Sequence, residues 1–447
     1  MRAFFIKPAP HKMLLPVFLI ILALSSYACQ RSGNKIFRSN NEAIVVVASF
    51  DEYGRLISQA SGFIVSPEGK VVTNYHVVSM ASTIKIKNGS TIRSVFGLTH
   101  VDSDNDIAIL RLEKGKYKSV KIGNPNTLRV GEKVYAIGSP QGFENTMSEG
   151  IISGIRKVGR DMSVIQITAA ISRGSSGGPI FNADGEVVGI TTFLIAETQN
   201  LNFALPVNLV SRGLKKNDIV EPKEACRVDF KQTASCYFYQ GLAYGISGRQ
   251  DRAIDAFRRS LSVDPNRVET YVNLGVSYVN TDKFREAEKM FARALAIDPG
   301  NPDALARLGA VYTHLKKYDD SIRVLKKALS LWPDHVDSNF FLALNYEAQG
   351  KTADAIPILH AVIRLQPQHT EAYSRLGSIY TDMGKLDDAI TIYKAGISHK
   401  PDDPMLHLGL GKAYALSGDR AAALEEYKIL KAGNGEMAKE LFSIVYK

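Results

Sequence analysis

Cysteine is scarce in this chain: Cys29, Cys226 and Cys236 are the only three in 447 residues. Their spacing, with no histidine or second cysteine pair nearby, excludes a zinc-type site, and no metal or cofactor is expected. Long apolar runs are absent too. The stretch MLLPVFLIILAL (13–24) stops after twelve residues and contains Pro16, short of the roughly 20 a membrane helix needs. A concentrated basic surface is also missing. The net charge is +10, but residues 1–39 contribute +6 of it, and residues 219–437 balance 28 basic against 28 acidic side chains. Binding to nucleic acid needs a basic stripe, so no such partner is expected.

The N-terminus carries the chain's address. Arg2, Lys7 and Lys12 precede the apolar run, and SSYA leads into Cys29, the layout of a secretory signal peptide over 1–28. Ala28-Cys29 resembles the lipobox of bacterial lipoproteins, although Ser26 and Tyr27 depart from it. That resemblance implies lipidation of Cys29, a polar tether over 29–40, and a periplasm-facing, lipid-anchored place in the bacterial cell envelope. Gln30 points by the same analogy to the outer membrane. The alternative is an ordinary secretory signal or weak anchor, with Cys29 a spare thiol. In an oxidising compartment Cys226 and Cys236 can close a short loop; the alternative is a pair of reduced core thiols.

Residues 41–218 are a succession of short β-branched runs such as AIVVVASF (43–50), DIAILRLE (106–113) and KVYAIGS (133–139). Pro-Glu-Gly, Asn-Gly and Asp-Gly mark hairpins between them. An all-β domain of two barrels or a sandwich follows. Three segments carry chemistry: TNYHVV with His76 at a strand end, DSDNDIAIL with Asp106 at a strand start, and RGSSGGPIFN with Ser176 among glycines. A serine hydroxyl needs an imidazole to take its proton, and the imidazole needs a carboxylate to fix its tautomer. Glycines around Ser176 allow the amides of Gly174 and Ser176 to converge as an oxyanion hole.

The phrases SGFIVSPEGKVVTNYHVV, DNDIAIL, VGEKVYAIGSPQGF and GSSGGPIFNADGEVVGI resemble the Deg/HtrA branch of trypsin-like serine proteases over about residues 42–210. The resemblance implies a chymotrypsin-like double β-barrel and a triad of His76, Asp106 and Ser176. Six residues before the serine, Ala170 replaces the acid of trypsin-type pockets, implying cleavage after small or medium aliphatic residues. Where the family reads Asn-Pro-Gly-Asn-Ser, this chain reads Ser172-Arg173-Gly174-Ser175-Ser176. Trimers are common in the family, so a homo-oligomer is admitted.

After a linker (219–233), the chain repeats with a period of 34: windows 234–267, 268–301, 302–335, 336–369, 370–403 and 404–437. Position 8 is Gly or Ala, position 11 is always Tyr, position 20 is Ala or Ser, and Pro stands at position 32 in all but the last. This is the tetratricopeptide (TPR) signature, an all-α solenoid, with 438–447 expected as a capping helix. Phe238, Leu242, Val272, Val276, Phe340 and Leu344 occupy positions expected to line an apolar groove for a protein partner; the alternative is packing of repeat on repeat. The whole reads as a multidomain, envelope-associated serine endopeptidase whose repeats recruit substrate or partner protein. The rival is a protease-like scaffold that binds without cutting.

Overall fold

The run IVVVASF forms the first strand, β1 (Ile44–Phe50), and is buried along almost its whole length. In this computed structural model the described residues are 33–139, 145–158, 163–172, 174–192 and 202–446. Strand β1 pairs antiparallel with β2 (Leu56–Ile64) on one side and β4 (Thr83–Asn88) on the other. With β3 (Lys70–Thr73), β5 (Thr91–Asp102) and β6 (Ile107–Leu112), these strands close in the order β1-β2-β3-β6-β5-β4. A short β7 (Lys121–Ile122) leads to the second barrel: β8 (Lys133–Gly138), β9 (Thr146–Lys157), β10 (Ser163–Ile167), β11 (Pro179–Phe181), β12 (Glu186–Thr192) and β13 (Asn202–Pro206). Strand β11 pairs with both β8 and β12, which closes this ring of six, and β7 adds to β12 in parallel. Full closure leaves neither barrel an open sheet edge. The expected hairpins are present, with Gly69, Gly89 and Gly185 at positive φ.

Residues 33–40, expected within a polar tether, instead form a helix, α1. Gly33, Ile36 and Asn40 recur at helical spacing and are buried, and Gly33 lies against Tyr135 and Met147 of the second barrel. Burying that one face is what orders the segment. The signal peptide 1–28 and Cys29 lie outside the described residues. Helix α2 (Tyr75–Val78) follows β3, and α3 (Ser211–Leu214) and α4 (Pro222–Ala225) follow β13. Among the described residues no helix is long and apolar enough to cross a membrane.

Every 34-residue window yields a helix pair: α5 (Ala234–Ile246) with α6 (Gln250–Val263), α7 (Val268–Val279) with α8 (Phe284–Ile297), and α9 (Pro302–His314) with α10 (Tyr318–Leu331). Then come α11 (Val336–Ala348) with α12 (Thr352–Leu365), α13 (Thr370–Asp382) with α14 (Leu386–His399), and α15 (Pro404–Ser417) with α16 (Arg420–Gly433). Helix α17 (Gly435–Val445) supplies the cap, starting earlier than 438. The small residues do what their spacing suggests. A Cβ at Gly241, Gly275 or Gly377 would stand 2.5–2.6 Å from the ring of Phe257, Phe291 or Tyr393 on the paired helix. All six residues at position 20 are fully buried.

The chain divides into two compact units, the second being Asn266–Lys447. The first repeat therefore belongs to the barrel unit, one repeat beyond the expected boundary. The groove expectation needs correction: Phe238, Leu242, Val272 and Phe340 are buried, and Val276 and Leu344 half-buried. Their side chains are used in packing. Phe238 lies against the rings of Tyr239 and Phe257, and Phe340 joins Ala372, Leu376 and Ile379 of the next repeat.

Candidate active site

Strand β3 ends at Thr73, and Asn74 turns the chain into α2, so His76 stands on a single helical turn rather than at a strand end. Asp106 sits in the turn before β6 with φ +54, a left-handed conformation for a residue with a Cβ, which costs of order 1–3 kcal/mol and persists only where neighbours hold it. They do so here. Its carbonyl accepts from the amide of Tyr75 (3.1 Å) and from Nδ2 of Asn74 (2.9 Å). Its carboxylate is fully buried; Oδ1 accepts from the amide of His76 (2.8 Å), and Oδ2 meets Nδ1 of His76 (2.7 Å) and the Thr192 hydroxyl (3.3 Å). A carboxylate can only accept at these distances, so Nδ1 carries the imidazole proton and Nε2 is left as the basic nitrogen.

Ser176 comes from the other barrel, in the loop before β11. Gly177 allows the close approach: with φ +79, a Cβ there would stand 2.4 Å from Thr73 Oγ1 and 3.0 Å from the Asn74 amide nitrogen. The nucleophile loop thus abuts the backbone that leads into His76. Ser61 pins this loop, its hydroxyl donating to the Gly174 carbonyl (2.7 Å) and its amide to the Ser176 carbonyl (2.9 Å). With both carbonyls turned into the protein, neither the Gly174 nor the Ser176 amide donates to a protein acceptor among the described residues. Arg173 lies outside the described residues.

Ala170 lines a cavity of about 180 Å³ with Ala136, Ile137, Gly138, Ile171 and Thr191. Among the described residues its lining is small and mostly apolar, with no charged side chain. Cys226 and Cys236 are separate buried thiols, not a bridge. Burial pushes Cys226 up to about 12. Burial, reinforced by the Asp106 and Asp229 carboxylates, pushes Cys236 up to about 11. Each occupies its own packing site: the Cys226 carbonyl accepts from Met80, and Cys236 lies in the first turn of α5.

The motifs thus bring His76, Asp106, Gly174, Ser176 and Ala170 into one region. Motif reading passes over Asn74, Thr192 and Ser61, which hold the pair and the loop. Asn74 lies inside TNYHVV and offered a signal; the two hydroxyl residues, in ordinary strands, did not. Among the described residues no group of three or more His, Cys, Asp or Glu is arranged to hold a metal.

Residues 60–190 match the trypsin-like peptidase domain family, and 234–267, 282–335, 312–376 and 346–407 match tetratricopeptide repeats. The chain carries a trypsin-like peptidase domain followed by tetratricopeptide repeats. Its relatives include the "Probable periplasmic serine endoprotease DegP-like" of Pseudomonas savastanoi pv. phaseolicola, 40% identical over 158 residues, covering 34% of this chain and 33% of that protein. "Serine protease HTRA1" of Xenopus tropicalis is 38% identical over 170 residues, 36% of each chain. The chain spans about a third of the length of these relatives. A crystal structure of Deg5 is 28% identical, covering 41% of this chain and 92% of that one, with a TM-score of 0.36.

Proposed function

We propose that this chain is an envelope-anchored serine endopeptidase of Deg/HtrA type, acting through an acyl-enzyme on Ser176. The observation that carries the reading is the buried Asp106 carboxylate, with one oxygen on the His76 amide at 2.8 Å and the other on Nδ1 at 2.7 Å. That arrangement orients Nε2 as a base and stabilises the imidazolium formed when it takes a proton.

In acylation, Ser176 Oγ attacks the scissile carbonyl carbon while its proton passes to Nε2. The carbonyl oxygen becomes an oxyanion facing the amides of Gly174 and Ser176, donors each worth about 10²–10³ in rate. Collapse breaks the C–N bond, and the imidazolium gives its proton to the leaving amine. A water then repeats the sequence on the ester, with Nε2 as base, releasing the acid and restoring Ser176. The cavity beside Ala170 suits a small or medium aliphatic side chain.

The repeats recruit the protein substrate or an adaptor, a role consistent with solenoids that carry no chemistry of their own. The lipobox-like Ala28-Cys29 and a relative named periplasmic support a periplasm-facing, lipid-anchored location. The reading is tested by hydrolysis of a peptide thioester with an aliphatic P1 residue: the full chain turns it over, and Ser176→Ala and His76→Ala abolish turnover. Turnover equal to wild type in Ser176→Ala overturns it.

A further inference from the structure

The segment linking the barrels to the repeats does not simply cross a surface. It returns to the outside of the acid–base pair and bonds repeatedly to the residues that flank it. The amide of Met80, just past α2, donates to the Cys226 carbonyl (2.6 Å), and the Tyr75 hydroxyl donates to the Val228 carbonyl (3.0 Å). Between and beyond these ties the chain makes a 3-10 turn, Phe230–Gln232, capped by Asp229, whose side chain accepts from the Lys231 amide. That turn delivers Phe230, 3% exposed. Its ring centroid lies 5.9 Å from that of His76 and 6.3 Å from that of Tyr75, meeting Tyr75 edge-on at 75°.

The other half of the pair is held by the first repeat helix. Ser235 and Tyr239, one turn apart on α5 and both buried, reach the loop that carries Asp106. The Ser235 hydroxyl bonds to Asp104 Oδ1 (3.1 Å), and the Tyr239 hydroxyl donates to the Asp104 carbonyl (3.2 Å). One stretch of chain, 226–239, thus braces both α2 and the turn before β6.

We infer that Phe230 is a positioning residue for His76, so that the junction with the repeats is part of the acid–base machinery. This rests on the proposed serine protease reading. Two physical effects support it. The His76 side chain is 25% exposed, and a bulky ring packed on it restricts its rotamer and keeps water off one side of the Nδ1–Asp106 bond. A cation facing an aromatic ring within about 6 Å is also stabilised by the ring's quadrupole; the His76 ring lies 5.9 Å from Phe230 at a 41° tilt, and in the proposed mechanism it becomes a cation on taking the serine proton. The second effect therefore favours the transition state over the ground state.

Phe230→Ala and Phe230→Leu in the full-length protein test this, assayed beside wild type on the peptide thioester. The alanine variant is expected to lose at least tenfold in kcat with KM changed less than twofold, and the leucine variant, which refills the volume, to recover to within about threefold of wild type. Equal kcat in all three, or a loss confined to KM, overturns the inference. Should Phe230→Ala fail to fold, as read by near-UV circular dichroism, the Ser235→Ala/Tyr239→Phe double variant carries the test from the other side of the brace. It is expected to lower kcat severalfold with KM unchanged, and wild-type kcat there overturns the inference. Failure of wild type itself to turn over the thioester would instead count against the protease reading.

Discussion

The Thr192 hydroxyl lies 3.3 Å from Oδ2 of Asp106, the oxygen that also holds Nδ1 of His76. It is the third donor to this buried carboxylate, after the His76 amide and Nδ1, and hydrogen bonds to charged groups are worth about 1.5–3 kcal/mol. The 3.3 Å length puts this one at the weak end. Thr192→Val keeps the shape and removes the donor. We expect kcat to fall roughly tenfold, about 1.4 kcal/mol, with KM unchanged on a peptide thioester. A change in KM alone would assign Thr192 to substrate binding.

The cavity beside Ala170, about 180 Å³, has no charged side chain in its lining among the described residues. Across a series of peptides that differ only at P1, kcat/KM should be highest for Val, Ala or Leu and low for Lys and Arg. Ala170→Phe fills the space, and a pocket typically discriminates by about 10–200-fold per methylene. The variant should therefore lose at least tenfold on a Leu substrate and less on an Ala substrate. Equal losses on the two would show that Ala170 does not shape the pocket.

His407, on α15, is buried against α16, with Nδ1 2.6 Å from Glu426 Oε2 and Nε2 2.7 Å from the Pro401 carbonyl. A doubly protonated ring donates to both partners. Burial opposes that charge, but the Pro401 carbonyl and the Glu426 and Asp403 carboxylates outweigh it and hold His407 above its ordinary value. A raised folded value contributes stability that is complete below the unfolded value and is lost as pH rises through the folded one. Hydrogen exchange in α15–α17 should accordingly show less protection, after correction for intrinsic rates, as pH rises through and above neutrality. His407→Gln should flatten that dependence.

Gly377 sets two effects against each other. Replacing a mid-helix glycine by alanine gains about 1 kcal/mol of helix propensity. Its Cβ, however, would stand 2.6 Å from the ring of Tyr393, which is only 4% exposed. Overpacking of that kind costs about 1–3 kcal/mol. Gly377→Ala should be destabilising in urea unfolding of the repeats, whereas Gly384→Ala, at φ +71 with nothing near, should be destabilising through backbone strain alone. A more stable Gly377→Ala would show that the helices relax apart freely.

Much of this architecture is legible in local pattern. Ile44–Phe50 is β-branched and becomes a strand, Asp184-Gly185 becomes a hairpin turn, and the period of 34 returns as helix pairs. What local pattern misses is long-range pairing. Thr192 reads as one residue of an apolar strand, and Phe230 as part of a linker; each becomes functional only through what lies across from it. The groove residues erred for a related reason. Periodicity says that Phe340 and Phe238 lie on a helix face, but only the neighbouring helix decides whether that face is open. Ile36 is the converse: an apolar residue in a mostly polar stretch that orders a helix once the second barrel covers it.

The central claim is that Ser176 is a nucleophile activated by a preorganised His76–Asp106 pair. The most direct measurement is covalent labelling of the purified full-length protein with a fluorophosphonate, read by intact mass and peptide mapping. The account predicts one adduct, on Ser176, with no label in Ser176→Ala and slow labelling in His76→Ala. A wild-type chain that is folded yet takes no label at Ser176, with or without peptide substrate present, would contradict it.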